Sequence, residues 1–173
     1  MQKATNPLRV FQTSCSKFAG ALDVNFFIGG LGYKIDGWSY HRVSGDPFFR
    51  LYLPMQGEFD LLFPDGVYRI IPGKIYLIPA GIPFYYKSIA PATHYWLHFT
   101  SSYLRRLSSC SRPMEQELST SENVRSSFRK ILRMTKEPDT LERAFRIRRL
   151  LEDLLIPFFV NLEDRESAQE GKD

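Results

Sequence analysis

Histidine and cysteine are the residues best able to carry out chemistry in this chain, and both are scarce. The three histidines, at positions 41, 94 and 98, have no spacing typical of a metal site, which needs histidines and a carboxylate that converge. Cys15 and Cys110 form no Cys-x-x-Cys pair and lie in no recognisable nucleophile context, and no Gly-x-Ser-x-Gly occurs. The sequence therefore predicts no catalytic residue, no metal ion and no cofactor.

The remaining candidates are aromatic, arginine and histidine side chains, which suit the binding of a small polar ligand. All nine tyrosines and both tryptophans lie within the first 103 residues. A tryptophan or tyrosine ring can stack on the apolar face of a sugar, while arginine and histidine donate hydrogen bonds to hydroxyl or carboxylate oxygens. These residue types indicate a binding protein rather than an enzyme.

The same part of the chain carries the signals of β-structure that would position such side chains. The clearest is a hairpin of residues 59–63 and 67–71, joined by Pro64-Asp65-Gly66. Pro54 predicts an edge or bulge in its strand, and the glycines at 29–32 predict a barrel corner rather than a phosphate cradle. Further predicted strands cover residues 37–42, 49–55, 75–78, 84–86 and 94–99. Short strands separated by Gly and Pro predict a closed β-barrel or jelly roll over residues 22–102.

Beyond residues 104–113 the composition becomes typical of helices. Ser119-x-x-Glu122 is a capping box, Pro138 ends the helix that follows, and Asp139-x-x-Glu142 offers a second cap. The second helix is predicted over residues 140–159, with Glu142 and Arg146 able to pair four residues apart.

This second helix has more apolar surface than packing on one side of a barrel would need. An exposed apolar surface usually marks a partner site, so we expect a homodimer through this helix. The residues assigned to the dimer contact are Leu150, Leu151, Leu154, Leu155 and Phe158. The predicted organisation is an effector-binding barrel with an N-terminal arm at 1–108, a helical dimerisation segment at 109–162 and a linker or tail at 163–173.

Two motifs give the chain a family resemblance. The spacing Gly73-(five)-Pro79-x-Gly81-x-x-Phe84 resembles the second conserved motif of cupin barrels, with Phe84 where a metal-binding histidine usually stands. The segment from Tyr95 to Phe99, Tyr-Trp-Leu-His-Phe, resembles the close of the effector-binding domain of AraC-type transcription regulators. The resemblance implies a mainly β, cupin-like barrel (jelly roll) followed by two antiparallel helices, in the small-molecule sensing and dimerisation part of a bacterial regulator.

The resemblance also implies a ligand site. It places Arg42, Tyr86, His94 and Trp96 on positions that contact the sugar in sugar-binding members of the family, with Trp96 as the stacking residue. His94 and Trp96 are two residues apart and therefore face the same side of a strand. The alternatives are that Tyr86 and Trp96 fill the barrel core, that His94 lies at the barrel mouth, and that Arg42 faces solvent or a carboxylate.

Composition limits the partners of this domain. A net charge of +4 is mild for 173 residues, and no apolar run is long enough to span a membrane, so we expect a cytoplasmic protein with no membrane contact. The family's helix-turn-helix motifs have no counterpart here, so DNA contact is expected only through a domain not in this chain. Whether the chain is a piece of a regulator or a stand-alone sensor stays open. A cupin-type enzyme such as a sugar isomerase, and a ligand-free dimerisation module, are the alternative functions.

Overall fold

The computed structural model describes residues 23–34, 39–42, 45–88, 90–106, 111–118 and 121–170, with no description of the side chains at 34, 39–42, 106, 121 and 163–170. The described residues form nine strands and three helices. These are β1 Asn25–Lys34, β2 Ser39–Arg42, β3 Phe49–Gln56, β4 Phe59–Phe63, β5 Gly66–Ile70, β6 Lys74–Ile78, β7 Phe84–Ser88, β8 Ala92–Thr100, α1 Ser102–Arg106, β9 Met114–Glu117, α2 Ser121–Met134 and α3 Leu141–Glu170.

The strands form two antiparallel sheets, which are the layers of a jelly roll. One sheet has five strands in the order β1-β8-β3-β6-β9, and the other has four in the order β2-β7-β4-β5. Helices α2 and α3 pack outside the five-stranded sheet, because their apolar residues share a cluster with that sheet's outer face. The predicted mainly β, cupin-like fold with two C-terminal helices is confirmed. No described helix is long and apolar enough to cross a membrane.

The two-residue period of β3 gives its sheet two different faces. Phe49, Leu51 and Leu53 belong to the cluster shared with the helices. Arg50 and Tyr52 alternate with them and are equally buried, so they point between the two sheets. Because both faces of the strand are covered, a polar residue such as Arg50 enters the interior of the barrel with little access to water.

Several sequence predictions about the strands are confirmed, and one is wrong. The hairpin consists of β4 and β5, and the pairing of β3 with β8 shifts register between Pro54 and Gln56, as a bulge requires. The glycines at 29–32 form no corner, because β1 runs through them with φ angles outside the left-handed region. The sequence also missed β9, which pairs with β6 and extends the sheet into the segment predicted to be helical.

The helix predictions are correct in kind but not in detail. Thr140 caps α3 in place of Asp139, because its side-chain oxygen accepts a hydrogen bond from the Arg143 N–H at 3.1 Å. Asp139 instead pairs with the Arg143 guanidinium. Glu142 and Arg146 form the predicted ion pair at 3.2 Å. Helix α3 continues to Glu170 with Pro157 inside it, so the predicted end near residue 159 is wrong.

The five α3 residues that were assigned to a dimer contact pack within the chain, most of them fully. Leu151, Leu154, Leu155 and Phe158 are each at most 6% exposed and belong to the cluster that packs on the five-stranded sheet, and Leu150 is partly buried against it. The five-stranded sheet buries more of the apolar surface of α3 than expected, because the outer face of the sheet is almost wholly apolar. The apolar residues that α3 exposes are Leu141, Phe145, Ile156 and Val160.

Candidate functional site

The candidate site is the space between the two sheets, where polar and aromatic side chains replace an ordinary aliphatic core. Arg50, Tyr52, Tyr86 and His94 are all at most 7% exposed there, and Trp96 is partly buried against the same cluster. Buried polar groups cost free energy unless they are hydrogen-bonded. A group of four buried polar side chains in one place therefore suggests a role beyond packing. We call this set the barrel interior.

Tyr86 and His94, two of the predicted site residues, both lie against Tyr52 and Phe59. The Tyr86 and Tyr52 hydroxyls form a hydrogen bond across the interior, which joins the two sheets. The His94 ring lies against Tyr52 and Phe59, with ring centroids 5.1 and 5.0 Å apart respectively. Because His94 is only 4% exposed, it does not lie at an open mouth of the barrel.

Trp96 faces the same side as His94, as predicted, and strand β1 makes room for both rings. Gly30 pairs with Trp96 and Gly32 pairs with His94. A Cβ atom at Gly30 would lie 2.8 Å from Cζ2 of Trp96, and one at Gly32 would lie 2.7 Å from Cε1 of His94. These glycines therefore serve close packing of the two rings against the strand. Trp96 also contacts the His98 ring, with centroids 4.6 Å apart.

The fourth predicted residue, Arg42, is placed only by its backbone. It lies in β2 opposite Phe84 of β7, and Tyr86 is two residues further along β7. The Arg42 side chain lies outside the described part of the structure. Asp60 on the neighbouring strand β4 forms an ion pair with Arg69, whose Nε lies 2.8 Å from the Asp60 Oδ1.

A second arginine, Arg50, was not predicted and is the most deeply buried charge in the described chain. It is 1% exposed and forms an ion pair with Asp46. Its guanidinium carbon lies 4.6 Å from the Phe48 ring centre and 5.1 Å from that of Phe84. A sequence signal existed, because Arg50 interrupts the otherwise apolar and aromatic run from residue 48 to 53.

Phe84, which stands where cupin barrels usually have a metal-binding histidine, packs as a core residue. Its ring stacks on Phe63 with centroids 4.6 Å apart and planes 6° from parallel. Among the residues that the structure describes, no three His, Cys, Asp or Glu side chains are grouped so that they could hold a metal ion.

Tyr76 adds a third buried phenol to the interior. Burial raises the pKa of Tyr76, although a backbone hydrogen bond with Ile71 acts in the opposite direction. Burial therefore favours the neutral phenol.

A cavity of about 560 Å³ lies outside the barrel, where β1 begins and where α2 connects to α3. Its lining includes Phe26, Phe27 and Phe145, together with Arg143 and Arg148. Both arginines already pair with carboxylates, Arg143 with Asp139 and Arg148 with Glu152. Neither is therefore a free cation that would attract an acidic ligand.

The fold and the barrel interior define a cupin-like jelly-roll domain, and a family model identifies it further. The model described as "AraC-like ligand binding domain" matches residues 31–155. The chain therefore belongs to the family of AraC-like ligand-binding domains. No curated protein matches the sequence at a significant level.

Two solved structures are similar to parts of this chain, and the first supports the fold. ToxT from Vibrio cholerae O395, bound to (E)-4-(8-methylnaphthalen-1-yl)but-3-enoic acid, is similar over 82% of this chain with 12% identity and a TM-score of 0.53. YhaK from Escherichia coli is similar over 56% of this chain with 14% identity and a TM-score of 0.47. This chain spans 57% of the length of ToxT and 44% of that of YhaK. At 12% identity, the similarity to ToxT concerns the fold alone.

Proposed function

We propose that this domain senses a neutral sugar or a similar polyol inside the barrel and passes the signal to a transcription regulator. The observation that carries the proposal is the polar and aromatic barrel interior, which buries Arg50, Tyr52, Tyr86 and His94 beside Trp96. A carbohydrate needs both an apolar face to stack on and several hydrogen-bonding groups, and this interior offers both.

Each predicted site residue has a role in this proposal. Trp96 stacks on the sugar ring, while Tyr86 and His94 exchange hydrogen bonds with its hydroxyls. Arg42 donates hydrogen bonds from β2. DNA contact belongs to a helix-turn-helix domain outside this chain, and a cytoplasmic location follows from that role.

A ligand-free dimerisation module is the second candidate, and the packing of the interior favours it. Tyr86 lies against Tyr52, Phe59 and Phe84, with ring centroids 6.4, 6.5 and 5.0 Å apart respectively. Binding of a sugar would require some of these rings to separate. The two candidates therefore differ in whether the interior opens to a solute.

A thermal-shift screen tests the proposal. L-arabinose, D-xylose, D-glucose and D-galactose would be compared with D-glucuronate and D-galacturonate, which carry a carboxylate. A ligand that binds only the folded state stabilises it by about 2.7 kcal/mol when present at a hundred times its Kd. We expect at least one neutral sugar to raise the melting temperature in a dose-dependent way. A melting temperature unchanged by every compound would favour the dimerisation module.

We also propose a homodimer, now through the exposed side of α3. Ile156 and Val160 are 54% and 53% exposed and lie one turn apart, so they share a face of the helix. Light scattering is expected to report about twice the chain mass of 20.1 kDa. The double variant Ile156→Glu, Val160→Glu is expected to be a folded monomer, because two charges in an apolar contact oppose association. A parent protein that is already a monomer would refute the proposal.

A further inference from the structure

We propose that Arg50 is the residue that anchors the effector, and that it selects an uncharged oxygen, a hydroxyl or carbonyl, over a carboxylate. The inference rests on the proposed function, since it assumes a ligand in the barrel interior. It adds a binding residue that was not predicted and a limit on the chemistry of the ligand.

The first support is a donor without an acceptor. Arg50 is 1% exposed, and its Nη1 finds no hydrogen-bond acceptor among the described residues. Native proteins satisfy nearly all buried polar groups, because an unpaired buried donor costs the free energy of its lost hydration. A ligand oxygen at Nη1 would supply the missing acceptor.

The second support is that the guanidinium is held in place before any ligand arrives. The rings of Phe48 and Phe84 lie on it at 4.6 and 5.1 Å, and Asp46 accepts a hydrogen bond from Nη2. Aromatic faces attract a guanidinium electrostatically and limit its rotation. Nη2 is engaged by Asp46, and Nη1 remains able to donate to a ligand oxygen.

The loop that carries Asp46 is itself fixed by the segment after β6. The Gly81 N–H donates a hydrogen bond of 2.7 Å to the backbone oxygen of Asp46. A Cβ atom at Gly45, where φ is +69°, would lie 2.5 Å from the carbonyl carbon of Gly81, so only glycine permits this close approach. The Pro79-x-Gly81 motif therefore helps to position the carboxylate that holds Arg50.

The charge of the pair determines which ligand fits. Asp46 is 12% exposed on its side chain, so both members of the ion pair are largely removed from water. The Asp46 carboxylate already pairs with Arg50, so a ligand carboxylate at Nη1 would bring a second negative charge close to the first in this dry region, at a desolvation cost. A hydroxyl or carbonyl oxygen accepts from Nη1 without that cost.

Arg50 and Trp96 lie on adjacent strands, and their pairing positions are two residues apart. In the pairing of β3 with β8, Arg50 is opposite His98 and Tyr52 is opposite Trp96. The His98 and Trp96 rings are 4.6 Å apart. A ring-shaped ligand stacked on Trp96 can therefore present a substituent to Arg50.

Calorimetric titration with the neutral sugars and uronates of the screen tests the inference. Arg50→Lys keeps the charge but loses the fork of donors, so affinity for the best neutral sugar should fall about ten- to a hundredfold. Arg69→Lys is the matched control, because Arg69 also pairs with an aspartate but is 51% exposed on the surface. It should bind as the parent does. If Arg50→Lys does not fold, the neutral pair Arg50→Gln, Asp46→Asn replaces it and should show the same loss.

The outcomes separate the two levels of the proposal. A parent protein that binds none of the sugars or uronates contradicts the proposed function, and the Arg50 role falls with it. A parent that binds a sugar as tightly as its folded Arg50 variant contradicts only the role of Arg50. A parent that prefers a uronate to its neutral counterpart overturns the selection of an uncharged oxygen.

Discussion

Replacing Phe158 with alanine is expected to lower the free energy of unfolding by about 3–5 kcal/mol, the range for truncating a buried aromatic residue. Phe158 is 0% exposed and belongs to the cluster that joins α3 to the five-stranded sheet. The loss of stability combines the apolar area returned to water with the cavity left behind. Because the sheet is packed on both faces, it cannot easily move to fill that cavity.

Phe145→Ala provides a matched control, because it makes the same chemical change on the same helix. Phe145 is 61% exposed, so we expect its truncation to change the free energy of unfolding by no more than about 0.5 kcal/mol. Urea unfolding followed by circular dichroism would measure both. Equal effects of the two substitutions would show that α3 does not pack as described.

The second large effect is expected at Trp96. Trp96→Leu keeps an apolar side chain but removes the flat ring, so affinity for a stacked sugar should fall roughly ten- to a hundredfold, as expected when a contact of about 1.5–3 kcal/mol is lost. Trp96→Phe keeps a flat face and should bind at least tenfold more tightly than Trp96→Leu does.

This pair of variants separates stacking from support of the fold. Trp96 contacts the His98 ring and lies over Gly30, so either substitution alters packing. Melting temperatures of the free variants report that packing, while titration with the best sugar of the screen reports binding. Similar affinities of the Leu and Phe variants would argue against a stacked ligand.

Local sequence signals were sufficient to predict the jelly roll. Pro64-Asp65-Gly66 between two apolar runs predicted the hairpin of β4 and β5, and Pro54 predicted an edge or bulge, because Pro fixes φ and lacks an N–H while Gly permits turns that other residues avoid. Strand β9 has no such signal. Its sequence, Met-Glu-Gln-Glu, is mostly polar, and only its pairing with β6 makes it a strand.

Tertiary packing decided what the sequence could not. The apolar residues of α3 suggested a partner protein, but the outer face of the five-stranded sheet buries them within the chain. The glycines of β1 suggested a corner, yet Gly30 and Gly32 are needed for the rings on the neighbouring strand. A pattern along one element does not show what lies opposite it.

The arrangement of the candidate site follows from the sequence only where it depends on one strand. His94 and Trp96 share a face because they lie two apart in one strand, which the sequence shows directly. The pairing of Arg50 with Asp46 depends on a loop held by Gly81, some thirty residues away along the chain, so no local pattern reveals it.

Fluorescence of Trp96 tests the central claim most directly, namely that a neutral sugar binds inside the barrel. The chain has two tryptophans, so Trp38→Phe leaves Trp96 as the single reporter. A sugar that raises the melting temperature should also produce a saturable change in this fluorescence, with the same Kd by titration calorimetry. A sugar that binds by calorimetry while Trp96 fluorescence stays constant would place the ligand elsewhere and contradict the account.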